Sequence, residues 1–329
     1  MLKHFVNLKT ATVDSAVCKF DECKFYIFRE DISFVMKKKV IAGICCAIAG
    51  ITVVALRGIA PWLFPLAAAV VSVMATYEIS HALGIKNKLM NALTVIVSFA
   101  IPMCFGFRTQ ILGMGEKLGL TLNPVYFLLL YGLLCFIIMI ADFENIKFHD
   151  AASVIVTTWG IPFAVTVLLH CNEIEKLYPN AGYEKHHGLF FILYVMFCAW
   201  LTDVFAYFAG SFLGKHKLCP KVSPKKTVEG AVGGVIGGVA SALILYAIFE
   251  NFVFDAPHGK YLTVALVSVV LCIAGMFGDL TFSVLKRNRG VKDFSNLVPG
   301  HGGMMDRFDS EVFVLIAFYA VINIFGVVF

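Results

Sequence analysis

The sequence predicts an all-α, polytopic integral membrane protein of about nine transmembrane helices with a cytoplasmic N-terminus. Three observations lead there: an apolar composition, apolar runs of spanning length along the whole chain, and an uneven distribution of Lys and Arg. Of 329 residues, 59% are hydrophobic and only 15% are charged, against about 25% charged in an average soluble domain. A membrane helix needs about 20 mostly apolar residues. Barrel strands would instead show short alternating segments. Nine apolar segments are marked, at about 40–56, 59–77, 90–107, 125–141, 151–171, 189–213, 230–250, 262–278 and 311–329.

Lys and Arg concentrate in cytoplasmic loops, which orients the segments. With Met36 to Lys39 inside, the inner loops hold 16 Lys and Arg and the outer loops 6. The inverted topology would reverse that ratio. The net charge of +5 does not point to nucleic acid. The ten cysteines are scattered, and most lie inside apolar runs. That argues against a disulfide framework and a clustered zinc site. Residues 1–35 mix five basic with five acidic residues and contain no long apolar run. They lack the apolar core of a secretory signal. They are expected to be a polar extension without an assigned role, and residues 36–329 the membrane domain.

Two inner loops stand out. Residues 214–229 carry five lysines and one glutamate, and residues 279–310 carry five basic and four acidic residues. In "GDLTFSVLKRNRGVKD", Asp279, Ser283, Lys286 and Arg287 recur at one-face helical spacing. A helix running past the membrane boundary and ending at Gly290 is expected. A solvated juxtamembrane helix touching lipid headgroups would look similar. "PGHGGMMDRFD" reads as a tight loop opening the last helix, with Asp306 and Asp309 on one face. N-capping accounts for one aspartate. It does not account for two aspartates together with Asp279, Asp293 and His301 among five basic residues. A divalent cation held by hard oxygen ligands does, with nearby cations holding the rest of a polyphosphate.

Asp203 lies inside an apolar segment, where an aspartate costs about 2.5–3.5 kcal/mol. It is therefore expected to face a polar cavity. The basic loop follows, and Ser223, Lys225, Lys226 and Thr227 offer donors of the kind that bind a triphosphate. No P-loop pattern is present in the sequence. Five lysines that merely enforce orientation would give the same charge count. Gly230, Gly234 and Gly238 form a small-xxx-small series, read as helix packing.

The stretch from Ser283 to Asp309, "SVLKRNRGVKDFSNLVPGHGGMMDRFD", closely resembles the signature of phosphatidate cytidylyltransferases. Val298 is a conservative departure from it. The stretch "AYFAG…GKHKL…SPKKTVEG" is also similar, with Val204 where Thr or Ser is common. The resemblance covers roughly residues 40–329. It implies synthesis of CDP-diacylglycerol and pyrophosphate from CTP and phosphatidate, with Mg2+, at the cytoplasmic surface of a cell membrane. Under it, Asp279, Asp306 and Asp309 hold the metal, and Asp203 lines the cavity and stands near a second cation. Ser223, Lys225, Lys226, Thr227, Ser283 and Arg307 bind substrate phosphates. Lys286, Arg287, Lys292, Asp293 and His301 form the catalytic group. CTP, phosphatidate and membrane lipids are the expected partners, and no nucleic acid; a homodimer is left open. The two loops must then meet over one cavity mouth. Rival readings are a transporter, which shares intramembrane acids and broken helices, and a scaffold binding anionic lipid. Related enzymes using dolichol or another lipid alcohol remain within the enzyme class.

Deleting residues 1–35, so that Met36 starts the chain, is expected to leave the implied synthesis intact. Loss of activity in correctly inserted protein would contradict this.

Overall fold

The computed structural model describes residues 48, 50–108, 124–178, 183, 186–255, 259–295, 297 and 302–325. The 1–35 extension, most of the first apolar segment and His301 lie outside the described residues. Residues 50–56 are helical. The named elements follow as α1 (Leu63–Ala82), α2 (Lys88–Gly106), α3 (Pro124–Ala141), α4 (Phe148–Asn172), the short α5 (Ile174–Leu177), α6 (His187–Leu213), β1 (Lys217–Cys219), β2 (Ser223–Thr227), α7 (Val228–Phe252), α8 (Tyr261–Asn288) and α9 (Met305–Phe325). Among the described residues, seven helices are long and apolar enough to cross a membrane: α1, α2, α4 and α6–α9. The protein is an all-α polytopic membrane protein. The expected count of nine also needs α3, which contributes a shorter apolar stretch, Leu128–Ala141, and the segment at 40–56.

Helix ends follow local chemistry. α8 runs past the apolar segment to Asn288, as its one-sided polar face predicts. Gly290 stops it at φ 67°. Val291 N donates to Lys286 O at 3.0 Å and Gly290 N to Arg287 O at 3.0 Å. Those two bonds form a Schellman motif, which satisfies carbonyls a helix end leaves open. α1 instead extends beyond the expected boundary at 77, carrying Glu78 and Ser80 into buried positions before Gly84 turns the chain at φ 77°. The basic loop is not simply irregular. β1 and β2 form an antiparallel hairpin pairing Lys217 with Thr227 and Cys219 with Ser223.

α6 and α7 pack with their backbones close together. A Cβ on Gly234 would sit 2.9 Å from both Ala206 Cβ and Thr202 O, and one on Gly230 would sit 2.8 Å from Ala206 O. The glycine stripe is thus a packing surface, which small residues make in membrane helices. α8 meets α9 the same way, since a Cβ on Gly278 would lie 2.6 Å from Asp309 O. Away from the basic loops, Phe190, Phe191, Tyr194, Tyr246, Phe249 and Phe318 fill the core. Tyr194 Oη donates to Val264 O at 3.0 Å, so its buried hydroxyl is satisfied.

The loops sort to two ends of the bundle. At one end, Asn87 Nδ2 donates to Asp142 Oδ2 at 2.8 Å, joining the α1–α2 and α3–α4 connections. Arg289 pairs with Asp150 at the start of α4. Arg287 Nε donates to Val222 O at 3.4 Å, joining the hairpin to α8. At the other end, Arg57 Nη1 donates to Asn172 Oδ1 at 3.0 Å, and Gly188 N donates to Glu175 Oε1 at 3.1 Å. The two lysine-rich loops therefore share one end.

Gly234→Ala is expected to destabilise the protein by about 1–3 kcal/mol through overpacking. Gly160→Ala, whose Cβ would meet nothing within 4 Å, is the control and is expected to be neutral or slightly stabilising. Thermal unfolding in detergent compares them. Equal melting of the two variants would contradict the packed stripe.

Candidate active site

The site begins with two adjacent helices. Asp279, Ser283, Lys286 and Arg287 lie on α8, and Asp306 and Asp309 open α9. Lys286 is only 7% exposed. Its ammonium lies 2.8 Å from Asp306 Oδ1 and 3.8 Å from Asp309 Oδ2. It also stands 5.3 Å from the centre of the Phe294 ring, within cation–π range. Buried ions need such partners, and removing one partner from a buried pair costs about 3–5 kcal/mol.

Asp306 is saturated by protein donors. Beyond Lys286, its Oδ2 accepts from Phe294 N and Gly303 N, each at 2.9 Å. Gly302 makes this possible. It adopts φ 86°, and a Cβ there would lie 2.9 Å from Asp306 Oδ2, so glycine suits both the conformation and the space.

Asp279 and Asp309 carry fewer protein donors. Asp279 pairs with Lys226 of β2 and accepts from Ser283 Oγ at 3.2 Å. Among the described residues, Asp309 Oδ1 accepts from its neighbouring Ser310 N at 2.9 Å, and Lys286 approaches Oδ2 at the longer distance of 3.8 Å. Ser310 Oγ in turn donates to Asp203 Oδ2 at 3.0 Å. Among the described residues, no group of three or more His, Cys, Asp or Glu side chains has metal-holding geometry.

The hairpin divides the basic residues. Side chains alternate along a strand, so Lys226 turns to Asp279 while Lys225 is exposed on the other face. Ser223 is half-buried at the pairing with Cys219. Thr227 is buried and its hydroxyl oxygen caps α7, accepting from Gly230 N at 3.1 Å. Glu229 holds the hairpin's entry, accepting from His216 Nδ1 at 2.6 Å and Lys215 N at 3.1 Å. Arg287 donates to Val222 O and, at 3.1 Å, to Val291 O. Lys292, Asp293 and Arg307 are exposed around the same loop.

Three participants escaped the sequence reading: Glu78, Asp150 and Ser310. Glu78 Oε1 accepts from Ser295 Oγ at 2.7 Å and Met304 N at 2.9 Å, and its Oε2 accepts from Met305 N at 2.9 Å. A carboxylate just past an apolar segment looks like a boundary residue, and only the continuation of α1 to Ala82 makes it an interior one.

Such an arrangement sets carboxylate oxygens against lysine ammonium groups at one end of a membrane bundle. Its lysines could hold anionic phosphates, and Asp279 and Asp309 are the carboxylates that could meet a hard cation.

Residues 37–325 match the Cytidylyltransferase family. The phosphatidate cytidylyltransferase of Bacillus subtilis (strain 168) is 39% identical over 140 residues, covering 43% of this chain and 50% of that protein. The one from Haemophilus influenzae is 38% identical over 152 residues, covering 46% and 49%. One from Staphylococcus epidermidis is 43% identical over 131 residues, covering 40% and 48%. The chain spans about half the length of the curated relatives it matches. The family match takes in every described helix and the whole acid–base cluster, so this chain belongs to the cytidylyltransferase family.

Proposed function

We propose that the chain transfers CMP from CTP to phosphatidate, giving CDP-diacylglycerol and pyrophosphate for phospholipid synthesis. The observation that carries this reading is the Lys226–Asp279 pair. It joins the basic hairpin to the acidic end of α8 and α9, so one nucleotide can reach both. Names of the relatives supply the substrates. The Lys and Arg distribution supports a site on the cytoplasmic side of a cell membrane, where a soluble nucleotide and a lipid can meet.

In the proposed reaction, a phosphate oxygen of phosphatidate attacks the α-phosphorus of CTP. A new P–O bond forms, the α–β bridging P–O bond breaks, and pyrophosphate leaves with its electrons. Such transfers need positioning and charge neutralisation more than a covalent nucleophile. Lys226 would hold the nucleotide phosphates from the inner face of the hairpin, with Ser223 near its turn and Lys225 adding charge from the outer face. Arg287, Lys292 and Arg307 flank the lipid side. Lys286 holds Asp306 and Asp309 in place, and Thr227 orients the hairpin through its cap. Ser283 keeps the Asp279 carboxylate turned. Asp293 and His301 are left to proton handling.

Magnesium takes one or two protein carboxylates plus substrate phosphates, and Asp279 with Asp309 fits that donor set. Asp306, whose oxygens already accept three protein donors, would support them. When bound, such an ion would neutralise charge on the transferred and departing phosphates. Asp203 is the residue that would stand nearest a second cation.

Purified protein given labelled CTP and phosphatidate is expected to form labelled lipid and release pyrophosphate. Label trapped in vesicles without lipid product would favour a transporter, and product only with a lipid alcohol would change the acceptor. Asp279→Asn and Asp309→Asn are expected to remove most activity while melting near the wild type. Asp306→Asn should also lower the melting temperature, because it weakens the buried partner of Lys286. Equal melting of all three would contradict that division.

Lys226→Ala is expected to weaken CTP roughly ten- to a hundred-fold, the worth of a charge-assisted phosphate contact. Lys225→Ala should do the same to a smaller degree, and phosphatidate should change little in both. Equal loss for both substrates, read from separate KM values, would contradict the assignment.

A further inference from the structure

We propose that Glu78 is a positioning residue for this site, capping α9 in trans from α1. The proposal rests on the cytidylyltransferase reading above. A helix leaves its first backbone N–H groups without internal partners. Near the start of α9, Met304 N and Met305 N both donate to Glu78, 2.9 Å from Oε1 and Oε2 respectively. Ser295 Oγ adds a third donor at 2.7 Å. Glu78 is 5% exposed, so these bonds form away from bulk water, where charged hydrogen bonds are strong. A carboxylate at a helix N-terminus is also favoured by the helix dipole.

Neighbouring glycines fit this clasp. A Cβ on Gly303 would lie 2.7 Å from Glu78 Cδ and 2.8 Å from its Oε1. Only glycine lets the carboxylate approach the loop so closely. Asp306 takes the adjoining amide, Gly303 N. Between them, Glu78 and Asp306 occupy the amides of Gly303, Met304 and Met305, so these do not serve substrate phosphate. The clasp instead fixes where α9 begins, and therefore where Asp306 meets Lys286 and where Asp309 lies relative to Asp279. Among the described residues, the polar contacts of Glu78 are with Ser295, Met304 and Met305 rather than with the lysines assigned to phosphate, so its effect passes through α9.

The test uses the full chain in detergent or lipid discs. Glu78→Gln keeps the size but replaces one acceptor with a donor facing backbone N–H groups. Ser295→Ala removes one donor to Glu78, together with the acceptor for Leu297 N, leaves both backbone bonds to Glu78, and keeps the variant series interpretable if Glu78→Gln fails to fold. Three quantities are read: amide exchange at residues 302–306, kcat and KM for CTP, and the melting temperature. Glu78→Gln is expected to speed exchange at Met304 and Met305 about ten-fold or more, as loss of a charge-assisted bond implies. It should lower kcat about ten-fold or more while KM for CTP stays near the wild type. Glu78→Asp should recover part of kcat, and Ser295→Ala should shift exchange and kcat in the same direction by less. Faster exchange with unchanged kcat would overturn the positioning role. So would a fall in kcat that merely tracks the unfolded fraction, or unchanged exchange in both variants. A wild-type protein that makes no product from CTP and phosphatidate would instead reject the proposed function. The exchange measurement would still decide whether Glu78 clasps α9.

Discussion

Lys286 sets the constraint on which the rest of the site depends. Its ammonium is buried where α8 leaves the apolar layer, and a buried charge demands an anion within hydrogen-bond reach. Asp306 supplies it at 2.8 Å. That one distance forces the chain after α8 to fold back so that α9 starts beside α8. It requires the stop at Gly290, the left-handed turn at Gly302 and the close approach at Gly303. It also requires the two helices to touch without side chains between them, which Gly275 and Gly278 allow. Among the described residues, breaking the pair would leave Lys286 with the longer approach to Asp309, 3.8 Å away, and the Phe294 ring.

A second ion pair has a different character. Lys226 and Asp279 are each partly exposed, so screening weakens their attraction. Their pairing costs little to exchange for other partners. Under the proposed function, phosphate oxygens would take over Lys226 and a hard cation would take over Asp279. The site thus combines a rigid buried pair that holds its frame with a looser pair at its surface that can open to ligand. The hairpin contributes to both functions: Thr227 and Glu229 anchor it to α7, and alternation along β2 turns Lys226 inward.

Much of this was legible in the sequence because local spacing carries it. The helical face Asp279–Ser283–Lys286–Arg287, the end at Gly290 and the glycine stripe of α7 each follow from periodicities within one element. That the two loops meet was implied by the resemblance and permitted by the topology, and the Lys226–Asp279 pair joins the hairpin to α8. What stayed hidden was long-range or stereochemical. Glu78 lies far from Met304 and Met305 in the chain, and nothing local signals their contact. The hairpin was missed because five residues containing Pro224 and two lysines carry little strand signal. Lys225 and Lys226 look equivalent until the pleat sends them to opposite faces. The saturation of Asp306 is also invisible in sequence, since its donors are backbone amides. The extension at 1–35 and His301 lie outside the described residues, so their expected roles rest on sequence alone.

The central claim is that the hairpin and the α8–α9 loop form one site at one face of the membrane. Single cysteines at exposed positions 225 and 292, in a background whose other reactive cysteines are removed, test it directly. A membrane-impermeant thiol reagent applied to sealed vesicles of known orientation should label both positions from the same side, and CTP with magnesium should protect both. Labelling from opposite sides would contradict the account, because one nucleotide cannot bridge the bilayer.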